Sequence, residues 1–433
     1  MKQFAPGFLI GASTAAHQVE GNNLNSDCWA LENIPHTLYA DRSGDAVDHY
    51  HLYEQDIRLM AEAGFNAYRF SLEWARIEPE EGHFSDAEIE HYRRVIRCCK
   101  QYGLEPMIVL MHFSSPRWLI AKGGWESETV IGDFARYCRY VMERLGNEVR
   151  YVCTINELNI RLQIADIMKR YALQAQKASA AKDAEASVQM GMNLQAIMEL
   201  QKLSGQEGAR AFGLEDPQAV HVFQSACTAA GDEILCRAHV AARQAIREVC
   251  PQVKVGLSLS LHDFQPLPGA ETVAEAEWDK EFRHYLPYIQ EDDYLGVQNY
   301  TRSLLGPDGL LPVPDGSEVT QAGYEYYPEG LEHVVRKVAA DYSGDIYITE
   351  NGIATADDTR RVALIEQALG GVQRCVADGL PVKGYFHWSL MDNFEWQKGY
   401  AMQFGLIAVD RAHGQTRTPK PSLAYLGSYA ARN

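Results

Sequence analysis

Tyr151-Val-Cys-Thr-Ile-Asn-Glu157 (YVCTINE) reads as a short strand that stops abruptly on two polar residues. Aromatic, β-branched and apolar side chains suit a pleated, buried segment. An Asn-Glu pair at its end does not suit an apolar interior. Seven further segments have the same strand character: Gly7–Ser13, Ala67–Leu72, Pro106–Phe113, Val253–Leu261, Tyr294–Tyr300, Ile346–Glu350 and Val382–Leu390. Helical patterns lie between most of them, as at Tyr50–Ala63, Ala87–Tyr102, Val130–Leu145 and Thr359–Asp378. Strand–helix alternation eight times over predicts an α/β chain forming a single (β/α)8 TIM barrel across residues 1–433. A doubly wound open sheet usually has fewer strands. No GxGxxG follows the first strand and no GxxxxGK[ST] occurs anywhere, so the sequence offers little to a nucleotide.

Two stretches break the rhythm. Ile160–Glu233, after the fourth strand, is rich in Ala, Gln, Lys and Met and predicts a helical insertion of one or two helices. It reads either as a solvated excursion or as a lid and subsite wall, because that loop leaves a barrel at its catalytic end. In the second reading Met190, Met192 and Met198 pack against varied apolar leaving groups. Gly306–Tyr327 clusters Pro, Gly and Asp before a Tyr-rich segment (GYEYYPEG) and predicts a long loop.

Composition narrows the function. With 433 residues and 46% hydrophobic content the chain has enough apolar material for a large core. No apolar run approaches the ~20 residues of a membrane span, and the first residues carry no h-region that predicts a secretory signal. The net charge of −18 repels phosphate backbones and anionic lipid, which argues against nucleic acid and membrane partners. The nine cysteines are odd in number and scattered, with no CxxC. They predict neither a disulfide framework nor a zinc site, and a reducing cytoplasm fits them best.

The strand ends carry the chemistry. Strand one leads to Gln18, strand two contains Arg69, strand three ends at His112 and strand four at Asn156-Glu157. Strand six ends at Tyr300, strand seven at Glu350, and strand eight at His387-Trp388. Burying such groups is costly without partners, and in a barrel they converge on one mouth. Taken singly, each has a plainer reading. Arg69 could pair with an acidic core residue, His112 could be a satisfied core histidine, and Gln18 could be a turn or cap residue. Their shared position favours a site.

Two carboxylates matter most. Glu157 and Glu350, on opposite sides of a small barrel, face each other across one bound group, and such a pair suits glycoside hydrolysis. Either could instead close a buried ion pair with Arg69. DNFEW adds Phe394, Glu395 and Trp396 just after Trp388. Indole faces pack on sugar C–H surfaces, and a Glu between Phe and Trp is not ordinary core.

The motifs together resemble glycoside hydrolase family 1, the β-glucosidase and β-galactosidase family, along nearly the whole chain. FLIGASTAAHQVEG, YRFSLEWARIEP, TINE, ITENG, WSLMDNFEW and GYAMQFGLIAVD follow in the family's order. The resemblance implies Glu157 as acid/base and Glu350 as nucleophile. It implies that Asn156 holds the sugar 2-hydroxyl, that Gln18, His112, Glu395 and Trp396 bind the other hydroxyls, and that Trp388 is the platform. Arg69 and Tyr300 would flank Glu350 and keep it ionised. Neither metal nor organic cofactor is implied.

Several positions depart from the family pattern. Leu158 replaces Pro, Phe113 replaces Trp, Gln298 replaces Asn and Gln403 replaces Arg, and Ile160–Glu233 has no recognised family counterpart. Glu395 repels a phosphate, against the 6-phospho-glycosidase branch, and the presence of Glu157 argues against the myrosinase branch. The expectation is a retaining exo-β-glycosidase of the cytoplasm acting on β-glucosides, β-fucosides or β-galactosides. Its partners would be small β-glycosides or short oligosaccharides, with homo-oligomerisation left open. A transglycosidase and a sugar-binding pseudoenzyme are the competing readings.

Overall fold

A computed structural model describes residues 3–180 and 194–431. Eight parallel strands close into a barrel: β1 (Leu9–Thr14), β2 (Ala67–Ser71), β3 (Glu105–Met111), β4 (Tyr151–Ile155), β5 (Lys254–Ser260), β6 (Tyr294–Gln298), β7 (Asp345–Glu350) and β8 (Val382–Trp388). Going round, the order is β1, β8, β7, β6, β5, β4, β3, β2, and β2 pairs back onto β1 with Gly11 opposite Ala67. Each strand is covered on both faces, which is why the strands read as apolar runs rather than as alternation.

The barrel interior is graded from apolar to polar. Ala67, Met107, Tyr151, Tyr294, Tyr347 and Phe386 fill its N-terminal end as one cluster. Side chains two residues further along a strand return to the same face, and there Arg69, Ser13 and Thr349 begin the polar end. Ser13 Oγ donates to the Thr349 carbonyl at 2.8 Å. Gly296 lies at this waist. A Cβ there would sit 2.7 Å from Ser258 Cβ and 2.9 Å from Thr349 Cγ2, so only glycine leaves room.

Outside, helices such as His49–Ala63, Asp86–Gln101, Thr129–Leu145, Ala229–Val249 and Asp358–Ala377 cover the strands. Thr129–Leu145 buries Val130, Phe134, Tyr137, Cys138, Val141 and Leu145, the three- and four-residue spacing of one helix face. Side chains of Ser85, Thr228 and Asp357 accept amide N–H groups at the helix starts they cap.

Three sequence readings shift. The strands read through Phe113, Glu157 and Tyr300 end two residues earlier, at Met111, Ile155 and Gln298. Phe113 (φ 68°) and Glu157 (φ 48°) sit in the left-handed region, which no strand residue adopts and which costs about 1–3 kcal/mol for a non-glycine residue. The insertion contains helices Ile160–Ala180 and Leu194–Ala211, but Ala229–Glu233 already belong to the barrel helix Ala229–Val249. Met190 and Met192 lie outside the described residues, and so does the side chain of Met198. The loop after β6 is partly ordered as a sheet: Arg302–Gly306 pairs parallel with Asp263–Pro266 and antiparallel with Gly309–Leu310. Among the described residues no helix is long and apolar enough to cross a membrane.

Candidate active site

The polar barrel end converges on Glu350 at the tip of β7. Arg69 Nη1 of β2 donates to Glu350 Oε1 at 3.0 Å, and the Tyr300 hydroxyl donates to Oε2 at 2.7 Å. Both carboxylate oxygens are therefore held, one by a donor on β2 and the other by a donor just past the end of β6. Arg69 is fully buried, and its Nη2 donates to Asn156 Oδ1 at 2.6 Å. The guanidinium fork thus ties β7 to β4 across the interior.

Asn156 is the hub of the next ring. Its Oδ1 also accepts from Ser258 Oγ at 3.0 Å and Gln298 Nε2 at 2.7 Å, while its Nδ2 meets His112 Nε2 at 3.1 Å. Ser258 and Gln298 belong to β5 and β6, so four neighbouring strands share this network. Glu157 follows directly. Its backbone N–H donates to Ser258 Oγ at 3.1 Å, and the Leu158 N–H bonds the Ser258 carbonyl at 3.0 Å. That bond uses the amide which a proline at Leu158 would lack.

The β8 end adds the remaining groups. Gln18 Nε2 donates to Glu395 Oε2 at 3.1 Å, to Asn393 Oδ1 at 3.1 Å and to the Phe394 carbonyl at 2.7 Å. Trp388 and Trp396 belong to one apolar cluster with Cys28 and Phe404. Trp388 lies 5.5 Å, ring centre to ring centre, from His112, and Trp396 lies 6.3 Å from it.

One cavity of about 340 Å³ opens over this assembly. Of the sequence-predicted residues, Glu157, Glu350, His112, Asn156, Tyr300, Trp388, Glu395 and Trp396 line it. Arg69 and Gln18 stand behind, gripping Glu350, Asn156 and Glu395. Among the described residues, Gln18 Oε1 and His112 Nδ1 are buried without a partner, and such atoms call for one. Sequence reading missed Tyr324, Met402 and Phe404 in the wall. Tyr324 comes from the Tyr-rich loop, where an aromatic cluster amid turn residues was the available signal. Ser258 carried no signal, since a serine in a strand is commonplace.

The three carboxylates feel different surroundings. Burial holds Glu157 well above the usual carboxylate range, the Glu350 charge pushes the same way, and Arg69 opposes them. Burial also raises Glu350, but Arg69, Tyr300 and Gln298 all pull it back. Burial pushes Glu395 up to about 7, against its hydrogen bonds with Gln18 and Trp388. Burial and then Arg69 drive His112 well below its ordinary value, so its ring stays neutral. Burial and the Glu350 charge keep the Tyr300 hydroxyl protonated, as a donor must be.

This chain is similar to known proteins along its length. The family model described as Glycosyl hydrolase family 1 matches residues 1–204 and 308–433. It therefore runs through the first part of the insertion, which the sequence reading had placed outside the family, and leaves 205–307 unmatched. A β-glucosidase of an Agrobacterium strain is 29% identical over 99% of this chain and 95% of its own length. A 1,4-β-D-glucan glucohydrolase of Thermotoga neapolitana is 28% identical over 95% of this chain and 98% of its own. Among solved structures, a β-glycosidase superposes with a TM-score of 0.86 at 43% identity, covering 99% of this chain and 98% of that one. The Thermotoga maritima β-glucosidase in complex with deoxynojirimycin gives a TM-score of 0.80 at 26% identity, covering both chains fully.

Proposed function

Because the chain belongs to glycosyl hydrolase family 1, we propose that it is a retaining exo-β-glycosidase, cleaving β-glucosides and also β-fucosides and β-galactosides by double displacement. The enzyme is a glycoside hydrolase of the β-glucosidase type. The observation that carries the finer reading is the asymmetry of the two carboxylates. Glu350 accepts from a guanidinium and a phenol, which favour its anion. Glu157 lies in the same cavity, where burial and the Glu350 charge favour its proton. One is thus set up as a nucleophile and the other as an acid.

In this reading the Glu350 oxygen attacks the anomeric carbon while Glu157 gives its proton to the departing oxygen. The bond to the aglycone breaks and a covalent glycosyl-enzyme forms on Glu350. Glu157, now ionised, takes a proton from water, which displaces the sugar with net retention. Asn156, His112, Glu395 and Trp396 hold the sugar hydroxyls, Gln18 holds Glu395, and Trp388 supplies an apolar platform. The insertion helix Ile160–Ala180 leaves the barrel three residues after Glu157. Leu162, Gln163 and Ile167 of that helix line a cavity of about 110 Å³ with His262 and Phe264, a placement suited to the leaving group. The nine cysteines are free thiols, eight of them buried, which fits a reducing cytoplasm.

The test is trapping with an activated 2-deoxy-2-fluoro-glucoside, followed by peptide mass spectrometry. A fluorosugar adduct on the peptide containing Glu350 is expected, and NMR should show β-glucose as the first product. α-Glucose as first product would overturn the retaining mechanism.

A further inference from the structure

Asp232 and Cys236 stand one turn apart on helix Ala229–Val249 and therefore share a face. His284 meets them from the turn Arg283–Tyr285, which lies between β5 and β6 in the chain. A carboxylate oxygen of Asp232, the Cys236 sulfur and a ring nitrogen of His284 all lie within 4.8 Å of one another. Asp232 and Cys236 are buried, whereas the His284 side chain is 41% exposed, so solvent reaches the cluster at the histidine.

Two details set this cluster apart from an ordinary ion pair. The Tyr285 hydroxyl donates to Asp232 Oδ1 at 2.9 Å, and Asp232 Oδ2 faces His284 Nε2 at 2.6 Å. A buried phenol thus fixes one carboxylate oxygen and turns the other toward the imidazole, as the outer partner of a metal-binding carboxylate does. The Cys236 thiol is buried and, among the described residues, has no hydrogen-bond partner outside its own residue. Burial, then Asp232 and Glu233, hold that thiol well above its ordinary range, because negative charge already surrounds the sulfur. A bound divalent cation inverts that effect and draws the proton off.

The donor set decides which ion fits. One thiolate, one imidazole and one carboxylate suit Zn2+, which takes sulfur, nitrogen and oxygen ligands in a tetrahedron. Magnesium and calcium take about six or more oxygen ligands and are a poor match. The fourth tetrahedral position falls on the solvent side beside His284 and is left to water. None of the three residues lines the catalytic cavity.

We propose that Asp232, Cys236 and His284 form a Zn2+ site that pins helix Ala229–Val249 to the turn Arg283–Tyr285 and stabilises this side of the barrel. Binding releases the thiol proton to water as the sulfur–metal bond forms. The sequence shows no zinc signature because the third ligand comes from a separate element. The site stands independently of the roles given to Glu157 and Glu350.

The experiment uses the full, untagged chain, stripped with a chelator and then loaded with Zn2+ alone. After dialysis against metal-free buffer about one Zn2+ per chain should remain, and the melting temperature should exceed that of the stripped protein. Cd2+ in place of Zn2+ should add an ultraviolet thiolate-to-metal charge-transfer band. His284→Ala and Cys236→Ser should each weaken Zn2+ binding at least about tenfold, and the second should abolish the Cd2+ band. The partial exposure of His284 keeps His284→Ala informative should Cys236→Ser fail to fold. Failure to retain Zn2+ would overturn the site, as would Zn2+ binding that His284→Ala leaves unchanged. Cd2+ binding without the band would do the same.

Discussion

Glu350 is engaged on both oxygens, by Arg69 and Tyr300, and its contacts set the first expectations. Glu350→Gln keeps the shape and removes the attacking oxygen, so turnover of 4-nitrophenyl β-glucoside should fall by at least about 1,000-fold with thermal stability near wild type. Glu157→Gln should hurt glycosides with poor leaving groups most, because an activated phenolate needs little protonation. Added azide should restore turnover of the activated substrate by replacing water in the second step. Equal losses on every leaving group, with no azide rescue, would remove Glu157 from the acid role. The pH–rate profile should be bell-shaped. Its acidic limb follows ionisation of Glu350, and its basic limb follows loss of the Glu157 proton, which burial and the Glu350 charge hold well above the ordinary carboxylate range. Esterifying Glu350 with a fluorosugar cancels that charge, so a titration of Glu157 should then shift downward. At this scale the two carboxylates were legible because each closes a strand-like apolar run of the sequence on a polar residue. Tyr324 and Ser258 were not, since their importance lies in whom they face.

The insertion is anchored by a buried arginine at its start. Arg161 donates to the Trp125 carbonyl at 2.9 Å, to Glu126 Oε1 at 2.9 Å and to the Ser225 carbonyl at 3.2 Å. One guanidinium thus clamps the first turn of the insertion to its returning end and to the β3 loop. Glu126 accepts in turn from the hydroxyl of Thr228, the residue that caps helix Ala229–Val249. Replacing Arg161 with Leu removes this donor from the Trp125 and Ser225 carbonyls, at roughly 1–3 kcal/mol each where water cannot reach, while Glu126 keeps its bonds from Thr228. The expected result is a lowered melting temperature with early proteolysis inside 160–228. Thr228→Ala should cost about 1 kcal/mol through the lost cap, with aryl-glucosidase activity little changed. An unchanged melting temperature in both variants would refute this account of the anchor. Helical composition pointed to the helices after β4, but the C-terminal boundary of that segment was invisible. Ala229–Glu233 is as helical in character as what precedes it, and only packing against Thr129–Leu145 assigns it to the barrel.

Across the whole molecule, buried carboxylates make stability depend on pH. Burial raises Asp27, Glu73 and Glu395 to about 7 and also raises Glu20. A carboxyl raised in the folded state contributes stability that is full below its unfolded value of about 4 and is lost as pH rises through the folded value. Asp56 runs the other way: His49 and Arg417 lower it against burial, so its contribution is lost only as pH falls below about 4. Resistance to urea should therefore be greatest near pH 4 and decline as pH rises toward about 7. The slope should reach about 1.4 kcal/mol per pH unit for each raised group between its two values. Glu73→Gln should flatten that decline without touching the catalytic cavity. A urea midpoint that rises between pH 5 and pH 8 would contradict the assignment.

The barrel itself was written in the chain. Eight apolar runs with helical patterns between them leave few ways to bury every strand on both faces, and a closed parallel sheet does so without exposed edges. Strand-end polarity also marked which residues meet, because a parallel barrel brings all C-terminal strand ends to one mouth. Tertiary structure alone decided how they meet. The grip of Arg69 on both Glu350 and Asn156 and the placement of Gln18 behind Glu395 depend on separations across the barrel. A pattern of period two or three and a half residues describes a segment's neighbours along the chain. It carries no measure of the few ångströms between side chains that are hundreds of residues apart, and at that distance hydrogen bonding and charge set the chemistry.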